Sequence, residues 1–408
     1  TASRESNTSW MVHMRDEALA LVGDAGPNYM IDSIEEDPNP HIKRRIHVKM
    51  EVPLYMETAE PGAKMVFDEN GMPKQNGTAW FDVLVQIPHA ATLGTPGALL
   101  QNGHGLLGSR TEGQNGYLAE LANAKNFVTF SVDLVGFAED DEGVIASMLV
   151  GDYRIWENVV QRTHQGVLNS LLAMRMMKGS FWMDPNVEFN GMSAIDPTQT
   201  FYRGDSQGGI MGMVYMALST DVTRGLLGEP GMPYSLLLKR SVDFTPFFIL
   251  MLDAYESQVN ANLMIAVTQL EWDRIEPTGY APYLTENTLP DTPSHHVLMH
   301  SALGDQQVSP WGTHYMARTI GGVQLMPVIR PLWGLEETSA PIEQKNVLVE
   351  FQFAGVPDVP LTNLPPEENS ELDPHDWVRA LGVSHDQTDL WLRQGRVETF
   401  CLGVCDPE

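Results

Sequence analysis

A serine flanked by glycines is the residue of this chain best suited to nucleophilic chemistry. Residues 204–208 read Gly-Asp-Ser-Gln-Gly, after a β-type run at 200–203 and before a helical stretch at 210–219. Glycines on both sides permit a sharp, strained turn, because a Cβ two residues away would collide with the neighbouring strand or helix. The helix behind the turn offers free N–H groups to developing negative charge. The pattern indicates that Ser206 is a nucleophile, the alternative being a glycine-rich loop.

A serine nucleophile needs fixed backbone donors for an oxyanion, and an earlier glycine-rich loop is suited to supply one. Residues 102–108 read Asn-Gly-His-Gly-Leu-Leu-Gly and follow an apolar run at 97–101. We expect the backbone amides of Leu106 and Gln207 to be the oxyanion donors. The alternative is that His104 and the glycines only shape a tight turn.

The base that activates the serine, and the acid that orients this base, should lie later in the chain, each just after a strand. Asp305 and His375 have such positions, each behind an apolar run. Glu229 is the second candidate for the acid, and His385, in the last helical stretch, is the second candidate for the base. A turn or helix-capping role is the alternative for Asp305.

The elements that must position these residues alternate as strand and helix, which is typical of an α/β fold. Alternating apolar and polar residues at 46–55 and 79–88 predict an antiparallel opening pair of strands. Further strands are predicted at 97–101, 127–132, 200–203, 222–227, 296–300 and 347–353, and helices at 117–126, 152–178, 210–219, 311–320 and 377–394.

Residues 232–290 interrupt this alternation with helical segments rich in Phe, Met, Leu and Tyr, which predicts an inserted helical cap. The core then comprises residues 43–231 and 291–408. Residues 1–42 are predicted to be an N-terminal extension with a short helix near residues 10–22 and a connector. The apolar run at 247–252 could line a pocket for an acyl group, or could simply pack the cap against the core.

Charge and composition exclude several classes of protein. There are 25 Lys and Arg against 53 Asp and Glu, a formal net charge of −28 that repels phosphate backbones and anionic lipids. We therefore expect no nucleic-acid partner, and no stable membrane insertion because no apolar run approaches about 18 residues. An acidic run at 139–142 lacks the ligand spacing of a calcium loop and is predicted to be solvated.

The two cysteines, Cys401 and Cys405, lie close together near the end of the chain. We predict a local disulfide; half of a metal site and two free thiols are the alternatives. A disulfide implies an oxidising compartment. Residue 1 is Thr, which fits a removed signal peptide and equally fits a sequence shortened at its start. With the predicted disulfide, we expect a secreted or periplasmic protein.

The motif at 204–208, the His-Gly-Leu at 104–106, Asp305 and His375 together resemble the α/β-hydrolase superfamily of serine esterases and lipases, of the secreted bacterial type. The order Ser, Asp, His matches this superfamily. The resemblance covers roughly residues 45–400, and it implies an α/β-hydrolase fold, with a mostly parallel central sheet, helices on both faces and an inserted helical cap.

The resemblance also implies a reaction, the hydrolysis of a carboxylic ester through an acyl-enzyme. Ser206 attacks the carbonyl, His375 moves the proton, and Asp305 orients His375. The amides of Leu106 and Gln207 hold the oxyanion. The substrate is a small-molecule or lipid-like ester, and no metal or organic cofactor is implied.

Two other functions stay open at this point. A serine peptidase or amidase could use the same triad, since the triad cleaves amides as well as esters. A hydrolase-fold binding protein without catalysis is the other, although such proteins usually lack a triad residue. A chymotrypsin-like protease is excluded because Gln207 breaks its motif and because the candidate base and acid follow Ser206 instead of preceding it.

Overall fold

One sheet of eleven strands carries the candidate site residues. The computed structural model describes residues 2–151 and 156–406. The strands of this sheet are β1 (Tyr29–Glu36), β2 (Ile42–Pro53), β3 (Thr78–Pro88), β4 (Gly97–Gly103), β5 (Phe127–Val132), β6 (Ile195–Asp205), β7 (Arg224–Gly228), β8 (His296–Ala302), β9 (Val323–Leu325), β10 (Glu336–Thr338) and β11 (Val347–Phe351).

The strand order is β1-β2-β3-β5-β4-β6-β7-β8-β11-β9-β10. Strands β1, β2 and β3 pair antiparallel, and β3 also pairs antiparallel with β5. Every pair from β5 to β10 in this order is parallel. Parallel strands need crossover connections, and their helices cover the faces of the sheet. The mostly parallel sheet and the antiparallel opening pair predicted from the sequence are therefore both present.

Twelve helices are described along the chain. They are α1 (Ala2–Val22), α2 (Tyr117–Lys125), α3 (Glu142–Val150), α4 (Glu157–Gly179), α5 (Gln207–Leu218), α6 (Tyr234–Leu237), α7 (Thr245–Tyr255), α8 (Gln258–Trp272), α9 (Pro277–Tyr280), α10 (Pro310–Thr319), α11 (Trp377–Ala380) and α12 (Gly382–Gln394). The predicted helix at 152–178 corresponds to α4, and its first four residues lie outside the described part of the chain.

Apolar side chains cover both faces of the sheet. Successive residues of β4 belong to different clusters: Leu99 packs with Leu168 of α4 and Val214 of α5, whereas Leu100 packs with Leu121 and Trp391. Successive side chains of a strand point to opposite faces, so the two clusters are the cores on the two sides of the sheet.

Helices α6 to α9 lie between β7 and β8, where the sequence predicts an inserted cap. Helix α7 contacts α8 and also contacts α3 of the preceding chain segment. The apolar run of α7 is divided between two environments, since Met251 is buried and Ile249 is 59% exposed. No helix within residues 2–151 and 156–406 has the length and apolar character needed to cross a membrane.

The prediction of a connector between residues 23 and 42 was wrong for part of that segment, because β1 pairs with β2 at the edge of the sheet. Most of β1 is exposed, so it lacks the alternation of apolar and polar residues that marks a half-buried strand. The short strands β9 and β10 were also missed, since three residues are too few to show a period.

Helix α1 is longer than predicted and is tied to distant parts of the chain. Met11 and Met14 are buried in the main core. The Arg15 guanidinium, which is fully buried, donates to the carbonyl oxygens of Leu218 (3.2 Å) and Pro290 (2.6 Å). The helix is therefore part of the packed body of the protein.

Two further predictions concern the pair of cysteines near the end of the chain and the acidic run at 139–142. Cys401 and Cys405 form a disulfide, as predicted. The acidic run at 139–142 is not simply a solvated loop: Asp141 is buried, accepts the Gly136 amide at 2.6 Å and pairs with Arg162 at 2.7 Å. Asp141 therefore holds the loop before α3 by hydrogen bonds to the Gly136 and Ala138 amides and connects it to α4 by one buried ion pair.

Candidate active site

Ser206 lies on a strained turn between β6 and α5. Its backbone has φ 61° and ψ −124°, a conformation that residues with a side chain rarely adopt. A Cβ on Gly204 would lie 2.3 Å from the Gly208 carbonyl oxygen, and a Cβ on Gly208 would lie 2.1 Å from that of Gly103. Both flanking glycines are therefore sterically required, which confirms the reason given for them from the sequence.

His375 and Asp305 are in direct contact. The His375 Nδ1 lies 3.0 and 2.9 Å from the two Asp305 carboxylate oxygens, and both residues are buried. A carboxylate only accepts hydrogen bonds, so Nδ1 carries the proton and Nε2 is left as the basic nitrogen. The amides of Gln307 and Val308 donate to Asp305 Oδ1 at 2.9 and 2.8 Å and hold the carboxylate in place.

The Asp305 carboxylate also sets the charge state of the imidazole. Burial alone would lower the pKa of His375, because it disfavours the charged ring. The adjacent carboxylate outweighs this effect and raises the pKa of His375 to about 9. The Asp305 carboxylate therefore favours the protonated form of the His375 ring.

Ser206 and His375 line the same cleft, which has a volume of about 670 Å³. The structure therefore brings together the nucleophile, base and acid predicted from the sequence. The two competing residues have other partners. Glu229 pairs with Arg379 at 3.1 Å, and His385 Nε2 lies 2.9 Å from the Arg379 carbonyl oxygen within the last helical region.

The two candidate oxyanion donors, Leu106 and Gln207, line one apolar chamber together with Ser206. Neither backbone amide donates to a protein acceptor within the described residues. Gln207 is the first residue of α5, where helix N–H groups lack intrahelical partners. Both amides are thus available to a bound oxygen atom.

His104 has a structural task in the loop that presents Leu106. Its Nε2 accepts the Leu134 amide at 2.8 Å, so Nδ1 carries the proton and donates to the Gly105 carbonyl oxygen at 2.8 Å. The neighbouring amide of Gly105 donates to a carboxylate oxygen of Glu112 at 2.6 Å. This histidine and this carboxylate fix the backbone path of the loop.

A buried group of charged residues beneath the cleft was not predicted from the sequence. Arg203 pairs with Asp205 at 3.2 Å, and the Tyr117 hydroxyl donates to Asp205 at 2.9 Å. Burial would raise the pKa of Asp205, but Arg203 and Arg379 hold it at about 2. Residues 117 and 205 lie far apart in the chain and share no motif, so no sequence signal could have paired them.

The Arg379 guanidinium connects this group to the base. Its Nη2 donates to Glu229 Oε2 at 3.1 Å and to the His375 carbonyl oxygen at 3.3 Å. Burial raises the pKa of Glu229 to about 8, against the opposing effect of Arg379. Arg379 thus joins the end of β7 to the turn that carries His375.

Tyr234 of α6 is a further site residue that the sequence did not reveal. Its hydroxyl accepts a hydrogen bond from the Gln207 side-chain amide at 2.5 Å, and it lines the apolar chamber.

As for metals, no group of three or more His, Cys, Asp or Glu side chains within the described residues is arranged to hold an ion.

Comparison with known proteins identifies the fold. No protein-family model and no curated protein sequence matches the chain. Among solved structures, the chain is similar to acetyl xylan esterase 1 from Thermoanaerobacterium sp., with a TM-score of 0.50 and 15% identity over 96% of this chain and 94% of that one. An acetyl xylan esterase from a Paenibacillus species gives a TM-score of 0.44 and 13% identity over 85% and 89% of the two chains. The first similarity shows that this chain has the α/β-hydrolase fold, which confirms the predicted fold class.

Proposed function

We propose that this protein hydrolyses carboxylic esters through an acyl-enzyme formed on Ser206. The observation that carries the proposal is the buried His375–Asp305 pair facing the same cleft as a serine on a strained strand-to-helix turn. The solved structures of similar fold include acetyl xylan esterases, which agrees with an ester substrate.

In the proposed reaction, His375 Nε2 takes the proton of the Ser206 hydroxyl while Oγ attacks the ester carbonyl carbon. The negative charge moves to the carbonyl oxygen, where the amides of Leu106 and Gln207 stabilise it. The tetrahedral intermediate collapses, the C–O bond to the alcohol breaks, and His375 gives its proton to the departing oxygen. Water then attacks the acyl-enzyme by the same path, and the carboxylic acid leaves.

Asp305 orients the His375 imidazole throughout this cycle without becoming protonated. Its carboxylate holds the His375 Nδ1–H, so that Nε2 points toward the proton to be moved, and it stabilises the imidazolium that forms. A neutral imidazole is needed at the start of each cycle, so the raised pKa of His375 favours turnover at alkaline pH.

The test is Ser206→Ala, assayed with short p-nitrophenyl esters. We expect a loss of at least about 10³-fold in kcat with an unchanged circular dichroism spectrum, because the nucleophile is removed and its surroundings are not. Ser147→Ala, at an exposed position of α3, is the matched control and should retain wild-type turnover. Residual turnover by Ser206→Ala above about one per cent of wild type would refute the assignment of the nucleophile.

The same variants distinguish an esterase from a peptidase. If Ser206-dependent turnover appears with p-nitroanilides of acylated amino acids and not with esters, the protein is a peptidase or amidase.

We also propose a secreted or periplasmic location, which the disulfide between Cys401 and Cys405 supports.

A further inference from the structure

Two cavities of different character meet at Ser206. One is the open cleft of about 670 Å³, lined by polar groups that include Tyr117, His375 and Arg379. The other is an apolar chamber of about 80 Å³, lined in part by side chains from α3 and from α6 to α8. Ser206 and Leu106 line both cavities.

The position of His375 decides how an ester would lie across these cavities. His375 lines the cleft and does not line the chamber. In the proposed reaction His375 must protonate the alcohol oxygen as it departs, so the alcohol lies on the side of the cleft. The acyl chain then extends from the carbonyl carbon to the other side, into the chamber that Gln207 also lines.

The lining of the chamber fits an apolar group. Three of its lining residues are aromatic and in mutual contact: the ring centroids of Phe137 and Trp272 lie 5.3 Å apart, and those of Tyr234 and Trp272 lie 4.7 Å apart. Ile145 and Leu149 of α3 add aliphatic surface. Among the residues that the structure describes, Asp243 is the one acidic group that borders the chamber, and it also borders the cleft. Burial raises the pKa of Asp243 to about 6. An apolar acyl chain would gain by the removal of its surface from water here.

The volume of the chamber limits the length of that chain. At roughly 10–15 Å³ for each water-sized group, a chamber of this size holds on the order of six carbon atoms. Resting on the proposed ester hydrolysis, we propose that the chamber is the acyl site, that it takes an apolar acyl group of about six carbons, and that the cleft takes a polar alcohol.

The first test compares two Ile→Phe variants on p-nitrophenyl esters from acetate to palmitate. Wild type should have its highest kcat/KM near hexanoate, with a gain of about fourfold for each methylene up to that length. Ile145→Phe, which fills part of the chamber, should move the optimum to acetate or butyrate and lower the hexanoate-to-acetate ratio at least about tenfold. Ile249→Phe, at a side chain of α7 that is 59% exposed, should leave the ratio unchanged.

The second test enlarges the chamber. Phe247 of α7 lines it, and Phe247→Ala should move the optimum to octanoate or longer esters. This variant keeps the proposal falsifiable if Ile145→Phe fails to fold. An optimum that stays in place in the folded variants, or a wild-type optimum at palmitate, would overturn the acyl site while leaving the ester-hydrolase function intact. The absence of Ser206-dependent hydrolysis across the whole series would overturn both.

Discussion

The protonation state of His375 Nε2 decides at which pH Ser206 can be activated. Protonated His375 cannot accept the serine proton, and its pKa is raised to about 9. We therefore expect kcat/KM for an ester to rise with pH and to reach half of its maximum near pH 9. The measurement is the initial rate at low substrate concentration between pH 6 and pH 10.5, corrected for spontaneous hydrolysis.

Asp305→Asn provides the control for this profile, because it removes the carboxylate that raises the pKa of His375. The midpoint should move to lower pH, and kcat should fall by about 10²–10⁴-fold because the neutral amide no longer selects the productive tautomer. A wild-type profile that is flat between pH 7 and pH 10 would contradict the role given to His375.

The two late histidines should differ sharply in their effect on catalysis. His375→Ala should be nearly as inactive as Ser206→Ala, because these residues act as a unit. His385→Ala should keep more than about a tenth of wild-type turnover, since its imidazole contacts the Arg379 carbonyl and not Asp305. Comparing kcat of the two variants on one ester tests this, and the reverse ranking would place the base in α12.

At the scale of elements, the pair of Glu229 and Arg379 holds the end of β7 against the turn before α11. We expect Arg379→Met to destabilise the protein, because Glu229 would be left buried without its cation. The lost stability should be largest above pH 8, where Glu229 must ionise, and should fall as the pH drops toward 5. For a carboxyl group whose pKa is raised in the folded state, stability is present at low pH and is lost as the pH rises.

The double variant Arg379→Met with Glu229→Gln isolates this effect. The free energies of unfolding of the single and double variants, measured in urea at pH 5, 7 and 9, should nearly agree at pH 5 and should then diverge by about 1.4 kcal/mol for each pH unit as Glu229 ionises in the unfolded chain but stays protonated in the folded one. If the free energies of unfolding of the two variants depend equally on pH, ionisation of Glu229 is not the cause of the stability lost in Arg379→Met.

The sequence predicted some strands and side-chain contacts and missed others, and each outcome has a physical reason. The strand Phe127–Val132 was predicted with its observed bounds, because it is short, fully buried and rich in Phe and Val. The edge strand β1 was missed because it buries little on either face. The contact between Asp305 and His375 followed from their positions behind strands, whereas the bond between Tyr117 and Asp205 joins residues 88 apart that no pattern relates.

At the scale of the whole molecule, the formal net charge of −28 opposes the folded state through self-repulsion. We expect the urea midpoint at pH 8 to rise when NaCl is increased from 0.02 to 0.5 M, because the screening length falls from tens of ångströms to a few. Potassium chloride should act equally, and sucrose of equal osmolality should act less. A midpoint that falls with salt would mean that surface ion pairs outweigh the repulsion.

The buried guanidinium of Arg15 has a consequence for how the chain is made. Its two carbonyl partners, on Leu218 and Pro290, lie 203 and 275 residues further along the chain. At roughly 5–20 residues per second, a ribosome needs tens of seconds to produce them after the helix itself has emerged. During that time α1 can contact β2 and α4, but α9 and the carbonyl partners of Arg15 are still missing. The docking of α1 is therefore complete only after Pro290 has emerged from the ribosome, and until then the Arg15 guanidinium lacks an acceptor that it has in the folded protein.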